Sequence, residues 1–423
     1  MNDIQAKLDY ADAIADWFLE IGEENSQQGD FEEALKCIHI AATILCKQNR
    51  NLCSPRLENN LSHIAGRLVE QTNLNTNFKS NGSSKQACLH VMDEALPAGG
   101  LTAMALRWIE NDKTKRIHNI ALLSQESSLP DEVLQICRGT GGDVYIADHN
   151  ETFISQAAWL KQLANDLASF VILHISVADV VCGVAFGTKG GPPVLLVNHA
   201  AHIFWTGTSI TDLVLNCRGS NYEREWTEVH RGLKSATIPI PLIEIAPNVS
   251  KETFSAEQKR HNKSTLGIPQ DSIVILTVGA SYKYLPLEGL DFLATCENIL
   301  EQVPEAFLLA AGVQPDSRWN STSKGMESRI KALGTVSQSD LALIHSVADV
   351  YIEGFPIGST TALLEAGLKG IPVVLAPIQC PPPYASDGVA LDTTLQRPKT
   401  IEEYKNAIIT LCKKPGERKR QGE

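Results

Sequence analysis

Apolar residues recur at helical spacing between residues 10 and 48. They do so again from 56 to 71, where Leu57, Leu61, Ile64 and Leu68 fall on one face. Residues 72–85 are small and polar and read as a linker. From Gln86 the pattern changes to short, almost wholly apolar runs separated by amphipathic stretches. Strands are predicted at Cys88–Met92, His118–Leu123, Asp143–Ile146, Phe170–His174, Val194–Val197 and Leu213–Asn216, with helices at Leu101–Asn111 and Ile154–Asp166 among them. A second block of this kind begins near Ser272. It predicts strands at Ile273–Val278, Ala306–Ala311, Val350–Glu353 and Val373–Ala376, and helices at Pro286–Gln302, Ser339–Val347 and Thr360–Lys369. Continuous apolar strands alternating with helices imply parallel, doubly wound sheets covered on both faces.

Between the blocks, Pro239, Pro241 and Pro247 fix an extended hinge over 238–247. The division that follows is a helical segment (1–72), a linker (73–85) and two Rossmann-like domains (86–245 and 246–423). Two such domains facing a common cleft would place a ligand at the C-terminal ends of both sets of strands. In the helical segment, Gly22, Gly29, Ala34 and Ala41 fall where a tetratricopeptide-like helix pair puts small residues so that its helices pack closely. One pair cannot bury its own apolar stripe. It must cap the rest of the chain or dock a protein partner.

The bulk numbers narrow the function. The chain has 423 residues, more than one ordinary core accommodates, and a formal net charge of -12, which disfavours nucleic acid as the main partner. No run approaches the roughly 18 apolar residues of a membrane span. The first residues lack the basic-then-apolar pattern of a signal peptide. Ten cysteines are present without a CxxC pair or zinc spacing, which reads as buried thiols in a reducing, cytoplasmic compartment with no metal site. The basic C-terminal tail, Lys413 to Arg420, reads as solvated.

Four segments carry candidate chemistry. Leu96 to Thr102, after the first strand, contains Gly99 and Gly100. Such a pair permits a tight turn into a helix N-terminus that can meet an anion or hydroxyl, and a plain strand-to-helix turn explains it equally well. Glu353 to Gly367 is the strongest. Its Gly358-Ser359-Thr360-Thr361 run opens a helix, where hydroxyls, free N–H groups and the helix dipole favour phosphate, and Glu365 lies one turn on, in reach of a ribose. Val278 to Pro286 follows the first strand of the second block and offers Ser281 and Lys283, the lysine as a cation for a diphosphate. Val197 to Trp205 carries His199 and His202. Two histidines three apart can share a helix face as metal ligands, though no third ligand is evident, or one of them can act as a general base.

Together these segments resemble a GT-B glycosyltransferase over residues ~86–412. The second half is similar to the donor domain of such enzymes, through Gly279…Lys283, Val336-Ser337, Asp349 to Phe355, Leu364-Glu365-Ala366-Gly367 and Gly370 to Val374. The large retaining glycosyltransferase family pairs two glutamates at a shorter spacing; here Glu353 and Glu365 are twelve apart. The O-GlcNAc transferase-like family has a Tyr-Lys, then a Pro, then a small-residue loop with Thr-Thr opening the helix, and Tyr282-Lys283…Pro286 and Gly358 to Thr361 resemble that. The resemblance implies a hexosyl- or N-acetylhexosaminyltransferase moving a sugar from a nucleotide-sugar, with UDP the expected base, to a carbohydrate or protein acceptor. No metal or cofactor is called for, because Lys283 and a helix N-terminus would stabilise the leaving diphosphate. It also implies that Ser281, Gly358, Ser359, Thr360 and Thr361 bind the donor phosphates, that Glu365 holds the ribose and that Val336 flanks the base. Gly99 and Gly100 would line the sugar, and His199 or His202 would face the reacting carbon.

Two rivals remain. A nucleotide-sugar epimerase shares the fold but needs no acceptor. A non-catalytic adaptor would bind the nucleotide-sugar without transfer, although it would have no need of an intact Lys283, Thr360, Thr361 and Glu365.

Overall fold

The computed structural model describes residues 2–72, 86–96, 100–148, 150–240, 242, 255–320, 326, 328–380, 386–388, 391 and 394–423. The chain divides into two compact units, Met1–Pro241 and Leu242–Glu423. The predicted linker (73–85) and, of the predicted hinge, residues 241 and 243–247 lie outside the described residues.

Unit 1 opens with three helices, α1 (Asn2–Gln28), α2 (Phe31–Gln48) and α3 (Pro55–Thr72). Gly29, at φ +87, makes the turn between α1 and α2, and Asp30 caps α2 by accepting from the Glu33 N–H. The helices approach closely at Gly22, where a Cβ would lie 3.2 Å from the Ile38 side chain. A seven-stranded, all-parallel sheet follows, with its helices in alternation: β1 (Ala87–Met92), α4 (Gly100–Asn111), β2 (Ile117–Leu122), α5 (Asp131–Thr140), β3 (Val144–Ile146), α6 (Phe153–Leu167), β4 (Phe170–His174), α7 (Val181–Ala185), β5 (Val194–Asn198), β6 (Leu213–Asn216), α8 (Asn221–Glu228) and β7 (Ser235–Thr237). The strand order is β3-β2-β1-β4-β5-β6-β7, so the winding reverses between β1 and β4.

The leading helices share the core of this unit. Leu57, Leu61 and Ile64 are wholly buried, in one cluster with Leu89 of β1, Val171 of β4 and Val184 of α7. Each such side chain is worth about 1.5–3 kcal/mol of burial. Gly183 makes the approach possible, since a Cβ there would sit 2.6 Å from Leu61. A buried carboxylate pins the same helix: Glu58 accepts from the N–H groups of Gly207 (2.7 Å), Thr208 (3.1 Å) and Ser209 (3.0 Å), and from the Ser209 hydroxyl (2.6 Å).

Unit 2 contains α9 (Ala256–Thr265), β8 (Ile273–Val278), α10 (Phe292–Gln302), β9 (Ala306–Ala311), α11 (Ser317–Asn320), β10 (Ile330–Ala332), α12 (Gln338–Val347), β11 (Val350–Ile352), α13 (Thr360–Leu368), β12 (Val373–Val374), α14 (Ile401–Lys413) and α15 (Pro415–Gly422). Its parallel five-stranded sheet runs β10-β9-β8-β11-β12, with the reversal between β8 and β11.

The predicted strands and helices are present, some with shifted ends, and the structure corrects three expectations. The helix expected over Pro286–Gln302 begins only at Phe292. Glu288 (φ +48) and Gly289 (φ +87) form a left-handed turn that pairs Leu287 with Leu290, and Asp291 then caps α10. Strands β7 and β10 were not predicted, because Ser235-Ala236-Thr237 and Ile330-Lys331-Ala332 lack the continuous apolar run that marks the equally short β3 and β11. The C-terminal tail forms α15 and is anchored, with Arg418 donating to the Leu411 and Cys412 carbonyls and Gln421 to the Val373 carbonyl. All ten cysteines are unpaired and seven are buried. No helix among the described residues is long and apolar enough to cross a membrane.

If Glu58 secures the leading helices to the unit 1 sheet, Glu58→Ala leaves three loop N–H groups unpaired and should lower stability by about 3 kcal/mol or more. Urea unfolding of the full chain measures this. A loss below ~1 kcal/mol would show that the helices contribute to unit 1 without that anchor.

Candidate functional site

In an open parallel sheet, ligands bind beyond the C-terminal strand ends where the winding reverses. In unit 2 the two loops flanking that point follow β8 and β11. The β8 loop turns through Gly279 into a 3-10 turn, Ser281–Tyr284. The β11 loop runs from Glu353 through a cis Phe355–Pro356 peptide to Ser359, where α13 starts. Lys283 joins them. Its ammonium donates to the Gly358 carbonyl and to the Ser359 hydroxyl, both at 3.0 Å, and the Lys283 carbonyl accepts from the Ile357 N–H. Ser359 occupies the N-cap position but makes no side-chain cap bond, because its hydroxyl faces Lys283. The first-turn N–H groups of α13 have no partner within the helix. Burial pushes the Lys283 pKa down, and the nearby Glu353 opposes that shift.

Glu353 shapes this loop from beneath. Its carboxylate is fully buried and accepts from the N–H groups of Ala376 (2.8 Å) and Ser386 (2.6 Å), while Tyr404 donates to its carbonyl. Burial raises the Glu353 pKa. A Cβ at Gly358 would run into this carboxylate, and one at Gly354 into the Tyr284 ring, so both glycines are required by close approach. Thr360 extends the network, its hydroxyl 2.8 Å from that of Ser386. Arg397 donates to the Ala376 and Ser386 carbonyls. Ser386 and Arg397 were not singled out from sequence. Small and polar neighbours around Ser386-Asp387-Gly388 were the only signal for the first, and nothing local marked the second.

The other residues singled out from sequence in unit 2 lie as follows. Ser281 accepts from the Gln314 N–H at 2.9 Å, and Gln314 reaches the Thr335 hydroxyl at 3.3 Å, beside half-buried Val336. Thr361 is exposed and Glu365 half-buried on α13.

Unit 1 has its own reversal, between β1 and β4. Asp93, just after β1, accepts from the Ser176 N–H at 2.8 Å, and Asp179 accepts from the Cys182 N–H at 2.7 Å. Burial and the Asp93 charge raise Asp179 to about 7, and burial raises Asp93. Neither carboxylate was anticipated from sequence. Gly99 lies outside the described residues, and Gly100 is exposed at the first position of α4. His199 and His202 follow β5 on a turn, so the shared helix face considered for them does not exist. His202 is half-buried, and its carbonyl accepts from the Asn49 side chain.

His199 is exposed, but its Nε2 points inward, 3.2 Å from His174 Nδ1. His174 Nε2 lies 3.1 Å from His90 Nδ1, His90 Nε2 3.0 Å from His118 Nδ1, and His118 Nε2 3.0 Å from an Asp112 carboxylate oxygen. His90, His118 and His174 are buried, with Trp108 of α4 edge-on to two of them. Burial lowers all four imidazoles, His90 to about 3 and His199 to about 4.

These shifts set the sign of the acid response. The imidazoles stay neutral in the folded chain but gain protons near pH 6.5 once unfolded, so stability falls as pH drops from about 6.5 toward their lowered values. His345, lowered by burial to about 4, adds to them, while Asp93, Asp179 and Glu353, raised in the folded state, act in the opposite sense; the five imidazoles outweigh the three carboxylates. Unfolding near pH 5 should therefore take up protons, and the midpoint should be lower at pH 5 than at pH 7. Calorimetry in buffers of differing ionisation heat measures the uptake; proton release would contradict the buried neutral chain.

Comparison with known proteins agrees with this architecture. Residues 272–414 match the family model described as "Glycosyl transferases group 1". No curated protein matches the sequence. Among solved structures, a mutant of the Thermobaculum terrenum O-GlcNAc transferase is 14% identical with a TM-score of 0.55, over 97% of this chain and 92% of that one. A glycosyltransferase from Rickettsia africae is 12% identical with a TM-score of 0.55, over 79% and 91%. The UDP-GlcNAc 2-epimerase of Neisseria meningitidis is 11% identical with a TM-score of 0.50, over 80% and 94%. With two doubly wound parallel sheets, a leading helical segment and a group 1 glycosyl transferase match across its second unit, the chain has the GT-B glycosyltransferase fold.

Proposed function

We propose that the protein transfers a hexosyl or N-acetylhexosaminyl group from a nucleotide-sugar, with UDP the expected carrier, to a carbohydrate or protein acceptor. The observation that carries this reading is the Lys283 ammonium held against Gly358 and Ser359 at the start of α13, within the group 1 glycosyl transferase match. A cation beside a helix N-terminus stabilises a diphosphate leaving group, the task a divalent ion performs in other transferases. In this reading Ser281, Gly358, Ser359, Thr360 and Thr361 line the phosphates, Glu365 the ribose and Val336 the base. Gly99 and Gly100 border the sugar. His199 is the base for the acceptor, preferred to His202 because its second nitrogen is held by His174. The UDP-GlcNAc 2-epimerase neighbour keeps donor interconversion as the second reading.

Calorimetric titration with UDP, GDP and ADP, with and without EDTA, tests the site. One nucleotide should bind at micromolar level regardless of EDTA, with Lys283→Ala and Glu365→Ala each weakening it by about tenfold or more, ~1.4 kcal/mol. Unchanged binding in both variants would remove the assignment. Incubation with the matching nucleotide-sugar then separates transfer from interconversion of the donor.

Lys283 also sets a pH dependence. Its lowered pKa means the ammonium is lost below the pH at which a free lysine, near 10.4, would lose it. Nucleotide affinity should fall as pH rises through that range, and Lys283→Arg should flatten the fall. Affinity independent of alkaline pH in the native chain would show that the ammonium does not meet the phosphates.

A further inference from the structure

The histidine chain of unit 1 runs diagonally across four adjacent strands of its sheet, β2, β1, β4 and β5. Asp112 opens the loop between α4 and β2, His118 lies at the N-terminal end of β2, His90 in the middle of β1, His174 at the C-terminal end of β4 and His199 just past β5. Strand register requires this diagonal: Cys88 pairs with His118, His90 with Ile172 and Met92 with His174, so the rings step across the face covered by Trp108 of α4.

One end of the chain has a fixed polarity. The Asp112 carboxylate is held well below its usual range by Thr114, Arg116 and His118, so it can only accept. His118 Nε2 must therefore carry a proton. Neutral His118 then has its lone pair on Nδ1 and accepts from His90 Nε2–H; His90 Nδ1 accepts from His174 Nε2–H, and His174 Nδ1 from His199 Nε2–H. Four rings adopt one tautomer, each internal nitrogen is satisfied, and the remaining lone pair of the chain is on His199 Nδ1. Buried polar groups are stable when satisfied in this way. The Cys88 thiol, 3.2 Å from His118 Nδ1, has the Ile117 carbonyl as its own acceptor at 3.7 Å.

Resting on the reading of His199 as the acceptor base, we propose that Asp112, His118, His90 and His174 are positioning residues that present His199 Nδ1 as the base and draw its proton inward. A proton taken from an acceptor hydroxyl or amide by His199 Nδ1 makes that ring an imidazolium. Its Nε2 proton moves to His174 Nδ1, the His174 Nε2 proton to His90 Nδ1, and the His90 Nε2 proton to His118 Nδ1. One proton enters, three shift by one place, and the positive charge comes to rest on His118 against the Asp112 carboxylate. His199 is left neutral, and no proton has to reach solvent during transfer. Placing that charge beside a carboxylate lowers the cost of the imidazolium, which an isolated buried ring would resist.

The groups facing the chain are few. Arg116 lies beside Asp112 and opposes a proton on His118, and the Asp112 charge favours it. Cys88 Sγ, His90 Nε2 and His118 Nδ1 also lie within 4.8 Å of one another, a spacing that a metal ion can span. A fourth ligand atom is not found among the described residues, and structural zinc takes four. The hydrogen-bonded chain accounts for the same atoms with no ion.

The test is nitrogen-15 NMR of the full chain with labelled histidine, its eleven imidazoles assigned by single His→Gln variants. At neutral pH, His90, His118, His174 and His199 should each show a protonated Nε2 and a bare Nδ1. Asp112→Asn, whose amide can donate to His118 Nε2, should scramble or reverse the tautomer at His199, four rings away, and Asp112→Glu should restore it. Should Asp112→Asn fail to fold, His174→Gln serves: His118 keeps its tautomer while His199 loses its preference. A protonated Nδ1 on His199 in the native chain, or an unchanged His199 in Asp112→Asn, overturns the proposal. So does one equivalent of zinc per chain whose removal by EDTA shifts the His90 and His118 signals. These readouts need no substrate, so they stand or fall apart from nucleotide binding, which tests the transferase reading itself.

Discussion

The buried carboxylate of Glu353 ties together the chain segments that meet at the winding reversal of unit 2. By accepting from the Ala376 and Ser386 N–H groups it fixes the exits of β11 and β12 and the segment at Ser386. Gly358 passes directly over that carboxylate, which sets where its carbonyl and the Ser359 hydroxyl meet Lys283. A side chain at Gly358 or Gly354 would displace the loop. Lys283 is placed from the opposite side of the winding reversal, on the β8 loop, so the cation and the helix start converge only because β8 and β11 are neighbours in the sheet.

The same device recurs in unit 1. Glu58 and Glu223 are buried, and each accepts three backbone N–H groups from a loop that has no ladder to satisfy them. Buried N–H groups without partners cost about 1–3 kcal/mol each, so a side chain accepting from three of them stabilises the loop. Through Glu58 the device also joins the leading helices to the sheet. The apolar stripe of α3 is covered within the unit and is not available to an outside partner.

Much of this was legible along the chain. Strand-helix alternation gave two parallel sheets, and several strands, Phe170–His174, Leu213–Asn216, Ile273–Val278 and Ala306–Ala311, were placed to the residue. The Gly358 to Thr361 run and Lys283 stood out through small residues, hydroxyls and a helix start, and the structure brings Lys283 to Gly358 and Ser359. Helix α10 was extended back to Pro286, over Glu288 and Gly289, which turn the chain, and Asp291, which caps the helix. His199 and His202 were paired as neighbours in sequence, yet the partner of His199 is His174, twenty-five residues away.

Sequence alone determined the quantities that depend on neighbours in the chain: helical and strand periods, the proline-rich connection, the glycine and hydroxyl loop, and the acidic, membrane-span-free character of the polypeptide. Tertiary structure alone decided which separated groups meet. Strand order brings Lys283 to Ser359. Register lines up His118, His90, His174 and His199 behind Asp112, and burial converts Glu353 from a strand-end acid into the support of a loop. The reason is physical: periodicity and turn chemistry are local, whereas the partner of a buried polar group is set by packing across the sheet and leaves no trace in its own segment.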